Sequence, residues 1–511
     1  MLHRKPFNDV TYLLENQYGN TVISETLPRS AGVLLHITSL PNPEGPGKFN
    51  AAAYDFLDWL STTGFHVWQI LPMGPTHEDG SPYLALSAFA GAPAFIDIAE
   101  LRHDKALNES WFGKVLDETE TDSLDALETT LHHYADASFS ELPNAREFLK
   151  SNEYWLQDYA QFMTIRHAQQ HKPWWEWPEA LRGRDPVAVR EVISQYRQQQ
   201  QLIVIEQYLF DRQWQALKQY ANQRGVKLFG DLPLYVSHDS ADTWANRRFF
   251  ALDEAGQATT IAGAPPDMFT DHGQRWGNPV YNWSALEHDG FRWWVDRIKR
   301  QLDLFDLIRI DHFRGLEAYW AIPADAEFAS AGDWVKAPGD ELLETLRSEL
   351  GDLPLVAEDL GYITKEVDEL REKYHLPCMR VLQFAFDGKD DNPHLAYNYC
   401  ENTVAYTGTH DNDTVIGWFE SLHPEAQAYI RYKLGISEED SILDTMVKTV
   451  MDSVAFLAIL PMQDILGLGH ESRMNMPGTM ENNWSWQYSE EQLTDAITEK
   501  YRGLLKAASR I

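Results

Sequence analysis

Eight short apolar runs punctuate the chain, each bounded by polar or turn-forming residues: 33–37, 67–71, 226–231, 304–311, 353–358, 379–386, 404–407 and 455–461. Runs of this length and composition read as buried strands. Between most of them the apolar spacing changes to the period of an amphipathic helix, over 51–63, 202–224, 291–302, 341–350, 365–374 and 441–452. A last helical stretch, 490–508, closes the chain. A parallel strand covered on both faces shows as a continuous apolar run. Eight of them alternating with helices therefore predict an α/β fold, a closed (β/α)8 barrel of the TIM type. An open doubly wound sheet uses the same elements, but no G-x-G-x-x-G follows the first strand to give it its usual dinucleotide role.

Two stretches break the alternation. Residues 72–201 far exceed the usual βα connection of about 2–6 residues. They begin with a Gly-, Pro- and aromatic-rich segment (74–98) and continue as acidic, helix-spaced sequence, including 124–134 and 154–165. A largely helical insertion after the second strand, packed on the barrel's active face, is the expectation. Residues 233–281, with Gly263, Pro265, Pro266, Gly273 and Gly277, read as a loop-rich insertion after the third strand. The whole of 1–511 is then one catalytic barrel unit carrying two insertions.

Composition narrows the partners. Against 43 Lys+Arg stand 77 Asp+Glu, a formal charge of −34. Such an excess repels a phosphate backbone and anionic lipid, so nucleic acid and membrane surfaces are excluded and a neutral substrate fits. The most membrane-like stretch, 81–96, is interrupted by Ser, Gly and Pro and is shorter than the ~20 apolar residues a spanning helix needs. The first twenty residues lack the apolar core of a signal peptide, so a cytoplasmic location is expected. The 2 cysteines, Cys378 and Cys400, are too few for a disulfide framework and lack metal-ligand spacing. His167 and His171 stand four apart without the Glu of a zinc motif, and a solvated helix face explains them better. The acidic turn around Asp387, Asp390 and Asp391 is at most a weak calcium ligand set. No metal site or cofactor is expected.

Four of the apolar runs lead into an acid: Asp231, Asp311, Glu358 and Asp411. Taken singly, each is explained by a solvated strand end or a helix cap. Together, on the third, fourth, fifth and seventh strands, they converge on the C-terminal mouth where barrel active sites lie. Arg309 precedes Asp311 by two residues and so shares its face. The pairing predicts an ionised, pKa-lowered Asp311 suited to nucleophilic attack, unless the two form a merely structural ion pair. Glu358, beside apolar Val356 and Ala357, is a candidate for a raised pKa, as a general acid requires. Paired carboxylates with an arginine suit glycoside chemistry. Trp174, Trp175, Trp177, Trp244, Trp276, Trp484 and Trp486 lie in expected loops and offer either sugar-stacking faces or plain core; Trp293 and Trp294, within a helix, are assigned to core.

The motifs also resemble those of the amylomaltases, or disproportionating enzymes (4-α-glucanotransferases), of the α-amylase clan. The matching segments run in family order from Gly32-Val-Leu-Leu-His-Ile-Thr-Ser-Leu-Pro41 through Gly80-Ser-Pro-Tyr83, Gly230-Asp-Leu-Pro233 and Gly273-Gln-Arg-Trp-Gly-Asn-Pro279. They continue with Arg309-Ile-Asp-His-Phe-Arg-Gly315, Ala357-Glu-Asp-Leu-Gly361, Thr407-Gly-Thr-His-Asp-Asn-Asp-Thr414 and Arg473-Met-Asn-Met-Pro-Gly478. The resemblance implies transfer of α-1,4-glucan segments between maltooligosaccharides or amylose with retention. By position it makes Asp311 the nucleophile, Glu358 the general acid/base and Asp411 the carboxylate on the sugar hydroxyls. It puts Arg309 and His410 beside that subsite with Asp231 in support, and Ser81, Tyr83, Asp267, Gln274, Trp276, His312 and Asn475 along the glucan groove. Leu84, Ala92 and Met268 depart from the family's usual residues, which bears on subsite preference. A hydrolase on the same site, or a non-catalytic glucan-binding protein, are the alternatives; the full acid set argues against the second.

Overall fold

The computed structural model describes residues 27–134, 139–266, 272–479 and 481–511. Eight strands form one parallel sheet: β1 (Ser30–Leu34), β2 (Val67–Gln69), β3 (Lys227–Leu232), β6 (Leu307–Ile310), β9 (Leu355–Ala357), β10 (Cys378–Val381), β11 (Thr403–Tyr406) and β12 (Leu457–Pro461). Apart from β9 and β10, each pairs with the next of the eight, and β12 returns to β1. Between β9 and β10 the ring is bridged by Ala357 N donating to Pro377 O at 3.0 Å, and by Met379 N donating to Asp359 Oδ1 at 2.8 Å. All eight strands overlap the expected apolar runs, with β1 beginning three residues ahead of its run, and the arrangement is the (β/α)8 barrel.

The covering helices include α1 (Ala51–Thr63), α3 (Arg197–Gln223), α4 (Arg292–Leu304), α5 (Gly339–Leu350), α6 (Lys365–Lys373), α7 (Val415–Ser421), α8 (Ile442–Asp452) and α9 (Asp495–Ala507). Buried Phe229, Leu307, Val356, Met379, Val404 and Ile459 fill the barrel interior, while their neighbours along each strand pack outward against the helices. Boundaries moved where local sequence is silent. Helix α3 starts earlier than its apolar periodicity because Arg197 and four glutamines supply propensity without pattern. The run 379–386 leaves the sheet after Val381 for a 3-10 turn, Leu382–Ala385, and Gln383 Nε2 donates to Asp413 O (2.9 Å). The expected C-terminal helix divides: a 3-10 turn, Glu490–Gln492, precedes α9, which Thr494 caps.

Between β2 and α3 the chain runs through short helices and α2 (Glu153–Ala168). His171 falls beyond the end of α2, so it does not share a helical face with His167, and Arg166 Nη1 approaches its Nδ1 at 3.0 Å. The 233–281 segment corrects the reading of it as loop. Strands β4 (Thr260–Ala264) and β5 (Gln274–Pro279) form an antiparallel hairpin there. They join β7 (Ala318–Pro323) and β8 (Asp333–Lys336) in a separate four-stranded sheet, order β5-β4-β7-β8. Neither hairpin strand alternates apolar and polar residues, and the partner β7 lies far along the chain, so pairing rather than pattern makes them strands.

Gly230, directly before Asp231, has no room for a methyl group: an added Cβ would enter the Phe305 ring. Gly230→Ala should lower stability by about 1–3 kcal/mol through overpacking. A thermal melt checks it; an unchanged Tm would mean that Phe305 yields freely.

Candidate active site

The four acids stand where β3, β6, β9 and β11 open at the barrel mouth. Asp231 lies on β3 opposite Arg309 of β6, in direct register. Arg309 Nη1 donates to both Asp231 oxygens, at 2.8 and 2.7 Å. Its Nη2 lies 2.9 Å from Asp311 Oδ1, and its Nε contacts Met379 Sδ at 3.3 Å. Arg309 is 5% exposed and rests on the apolar barrel interior. Burial opposes its charge, but Asp231 and Asp311 outweigh burial and hold its pKa well above the ordinary value.

Asp311 follows β6 and Glu358 follows β9, on adjacent strands. Glu358 N donates to Ile310 O (3.0 Å) and Asp311 N to Leu232 O (2.9 Å), so both backbones continue the ladder into the site. Two backbone donors orient the Glu358 carboxylate: His312 N to Oε2 at 2.6 Å and Leu360 N to Oε1 at 2.9 Å. For the first, His312 adopts a left-handed φ of 54°, at a cost of about 1–2 kcal/mol for a residue with a Cβ. Burial raises Glu358, in the direction anticipated from its apolar neighbours, although Arg309 and the two N–H donors pull the other way.

Asp311 corrects the expectation drawn from the Arg309 pairing alone. Burial pushes its carboxyl up to about 8, and Asp231, Glu358 and Asp411 add to the push against Arg309. One guanidinium, already bidentate on Asp231, serves several acids, so the cluster takes up a proton more readily than an isolated Arg–Asp pair.

Asp411 sits in the loop after β11 with its side chain 48% exposed, open to the mouth. Asn475 Nδ2 donates to its Oδ1 at 2.6 Å, and Arg473 Nη2 to its main-chain O at 2.7 Å. His410 Nε2 lies 3.4 Å from Asp411 Oδ2 and 2.8 Å from Tyr83 Oη. Tyr83 spends its single proton on Asp231 Oδ2 (2.8 Å), so it must accept from His410, which fixes the Nε2–H tautomer. The Tyr83 and His410 rings also stack, 5.2 Å apart at 17°. Burial lowers His410 and takes His36 and His312 down to about 3, leaving three neutral imidazoles around the acids.

The hairpin brings Trp276 edge-on to His312, with ring centroids 4.8 Å apart at 88°, and Trp276 Nε1 donates to Gln274 Oε1 at 3.0 Å. Ser81, half-buried, is tied by its N–H to Asp79 Oδ1 (3.2 Å), two residues before Tyr83. Asp267 and Met268 lie outside the described residues. The tryptophans divide. Trp174, Trp177 and Trp244 are buried core with Trp293 and Trp294, while Trp484 packs 6.0 Å from both Tyr83 and His410.

Sequence reasoning passed over three contributors. His36 is buried with Nδ1 unpartnered among the described residues; Arg473 holds the Asp411 backbone; and Asp464 accepts from Thr407 Oγ1 (2.6 Å) and Val415 N (2.8 Å), bracing the β11 loop. All three stand inside motif segments, His36 and Arg473 in those quoted above and Asp464 in Gln463-Asp-Ile-Leu-Gly-Leu-Gly469, but nothing local distinguishes a bracing polar residue from a solvated one. Among the described residues no group of three or more His, Cys, Asp or Glu could hold a metal ion, and no helix is long and apolar enough to cross a membrane.

An acid raised in the fold contributes stability that is present below its unfolded pKa and is lost as pH rises through its folded value, here about 8. Asp311→Asn should therefore stabilise the protein near pH 8 by about 1 kcal/mol, a Tm rise of about 1–3 °C, with the gain vanishing near pH 4. Thermal scans at both pH values check it; a Tm drop at the higher pH would show that Arg309 depends on the Asp311 charge.

The family model described as 4-alpha-glucanotransferase matches residues 35–494. The 4-alpha-glucanotransferase of Thermus thermophilus is 43% identical over 95% of this chain and 100% of its own length. That of Synechocystis sp. is 44% identical over 92% of this chain and 96% of its own. Among solved structures, the amylomaltase from Streptococcus agalactiae in complex with acarbose has a TM-score of 0.88 at 35% identity, covering 94% of this chain and 99% of that one. The amylomaltase from Corynebacterium glutamicum shares the fold at a TM-score of 0.68 and 20% identity, over 95% of this chain and 75% of that one. With a barrel mouth that gathers Asp231, Asp311, Glu358 and Asp411, and relatives alike over nearly its whole length, the chain belongs to the 4-alpha-glucanotransferase family.

Proposed function

We propose that this chain disproportionates α-1,4-glucans by a retaining double displacement, with Asp311 as nucleophile and Glu358 as acid/base. The observation that carries this reading is the separate anchoring of two carboxyls on adjacent strands. Asp311 is steered by Arg309, and Glu358 is held by two backbone N–H groups. Retention requires carboxyls ~5–5.5 Å apart, and neighbouring positions on adjacent strands, about 4.8 Å apart at the backbone, allow that separation.

Asp311 attacks the anomeric carbon as Glu358 gives its proton to the departing glycosidic oxygen. The product is a β-glycosyl ester of Asp311 and a free glucan 4-hydroxyl. An incoming 4-hydroxyl then passes its proton to Glu358 and displaces Asp311, restoring the α-linkage. Asp411, open to the mouth and braced by Asn475, is positioned to accept from sugar hydroxyls. His312 Nε2, buried without a partner among the described residues, supplies a neutral hydrogen-bonding group. Arg309, Asp231, Tyr83 and His410 hold this constellation, and Ser81, Asp267, Gln274 and Trp276 are proposed along the glucan groove. The 262–281 segment is the proposed water-excluding lid, since transfer needs the ester shielded from hydrolysis. Neutral maltodextrins suit the acidic chain, and no cofactor enters the scheme.

Incubation with maltotriose should yield glucose together with a ladder of longer maltodextrins by chromatography; glucose and maltose without lengthening would favour the hydrolase reading. The competent state has Asp311 ionised and Glu358 protonated, so kcat/KM should be bell-shaped. It falls at low pH as the nucleophile takes up a proton and at high pH as Glu358 loses its own. Glu358→Gln should cost about 10²–10⁴-fold in kcat/KM and remove the alkaline limb. Unchanged activity in that variant would defeat the acid/base assignment.

A further inference from the structure

The two cysteines lie outside the chemistry above, yet the fold brings them together. Cys378 opens β10 and pairs in register with Thr403, the first residue of β11. The turn ahead of β11 folds Cys400 back to the same place. The Thr403 hydroxyl contacts both sulfurs, Cys378 Sγ at 3.3 Å and Cys400 Sγ at 3.4 Å, so the two thiols meet at one point. Their surroundings differ as an attacking and a resolving thiol require: Cys400 is exposed, while Cys378 is 1% exposed and further engaged by Asn402 O at 3.6 Å.

Charge reinforces the asymmetry. The neighbouring Cys378 thiol, aided by Thr403 and by the nearby Arg371 and Arg380 guanidiniums, draws Cys400 down to about 5, whereas Cys378 is pushed well above its ordinary value. The thiolate of Cys400 therefore faces solvent with a protonated partner thiol against it. Reactive cysteines have this environment; buried structural ones do not.

We propose that Cys378 and Cys400 form an oxidisable dithiol site that takes hydroperoxides as its substrate class and closes to an intramolecular disulfide. The Cys400 thiolate attacks one peroxide oxygen, the O–O bond breaks, the other oxygen leaves as hydroxide (from hydrogen peroxide), and Cys400 keeps the first as a sulfenic acid. The Cys378 sulfur then attacks the Cys400 sulfur, the S–OH bond breaks, and the Cys378 proton leaves with that hydroxyl as water. Two electrons pass from the thiols to the peroxide. The new bond ties the turn before β11 to β10, the strand whose Met379 touches Arg309 and whose Arg380 pairs with Asp359 (2.9 Å).

The test uses the full chain, reduced with dithiothreitol, desalted and exposed to hydrogen peroxide. It is then denatured, alkylated with N-ethylmaleimide and mapped by mass spectrometry without reductant. The expected result is loss of both alkylatable thiols together, a cross-linked peptide joining Cys378 to Cys400, and full recovery on adding dithiothreitol. In Cys378→Ser the sulfenic acid of Cys400 should persist long enough for dimedone to capture it, and in Cys400→Ser residue 378 should stay alkylatable after the same exposure. Sulfinic or sulfonic acid at Cys400 with Cys378 intact, or a disulfide between two chains, would overturn the proposal. The wild-type map decides this even if a variant fails to fold.

Discussion

A guanidinium sealed into the barrel mouth is the constraint around which the rest of the site is arranged. Arg309 sits on an apolar interior where an unpaired charge would cost several kcal/mol, so Asp231, directly across the strand ladder, is an obligatory partner. The remaining N–H groups of Arg309 then reach Asp311, and the Asp231 carboxylate has a lone pair left for Tyr83. Through Tyr83 the network extends to His410 and the edge of the Asp411 loop. Removing the cation would leave Asp231 buried and unpaired, so the same contact serves folding and the geometry of the pocket.

The consecutive acids Glu358 and Asp359 divide two tasks because neighbouring residues at a strand end face opposite sides. Glu358 faces the mouth, held by backbone N–H groups. Asp359 faces the wall, where it takes Met379 N and the Arg380 and Arg371 guanidiniums and bridges β9 to β10. The barrel is thereby tied at the point where its acid/base candidate stands. Neutral histidines around the cluster supply hydrogen bonds without adding cations that would compete with Arg309 for the carboxylates.

Much of this was readable from residue order. The eight buried strands announce themselves as apolar runs, and a strand end followed by an acid marks a position at the barrel mouth. The motif segments carried the resemblance to the family, to which the chain belongs. What stayed hidden depends on partners remote in sequence. The β4–β5 hairpin has no alternating pattern of its own and exists through pairing with β7. Three tryptophans that looked like candidate sugar platforms are core because an insertion helix and the segment after β3 close over them, as Trp174 Nε1 donating to His238 O (2.8 Å) shows.

The amino-acid sequence by itself determined the barrel, the order of its strands and which residue types stand at their C-terminal ends, because period and burial are local properties of the chain. The tertiary structure decided the charge state those residues share. Read as a pair, Arg309 and Asp311 give a carboxylate held ionised; in the fold Arg309 is spent first on Asp231, and burial among other acids lifts Asp311 instead. Electrostatic energies depend on distance and desolvation, and both are fixed only when strands distant in the chain are brought to one rim.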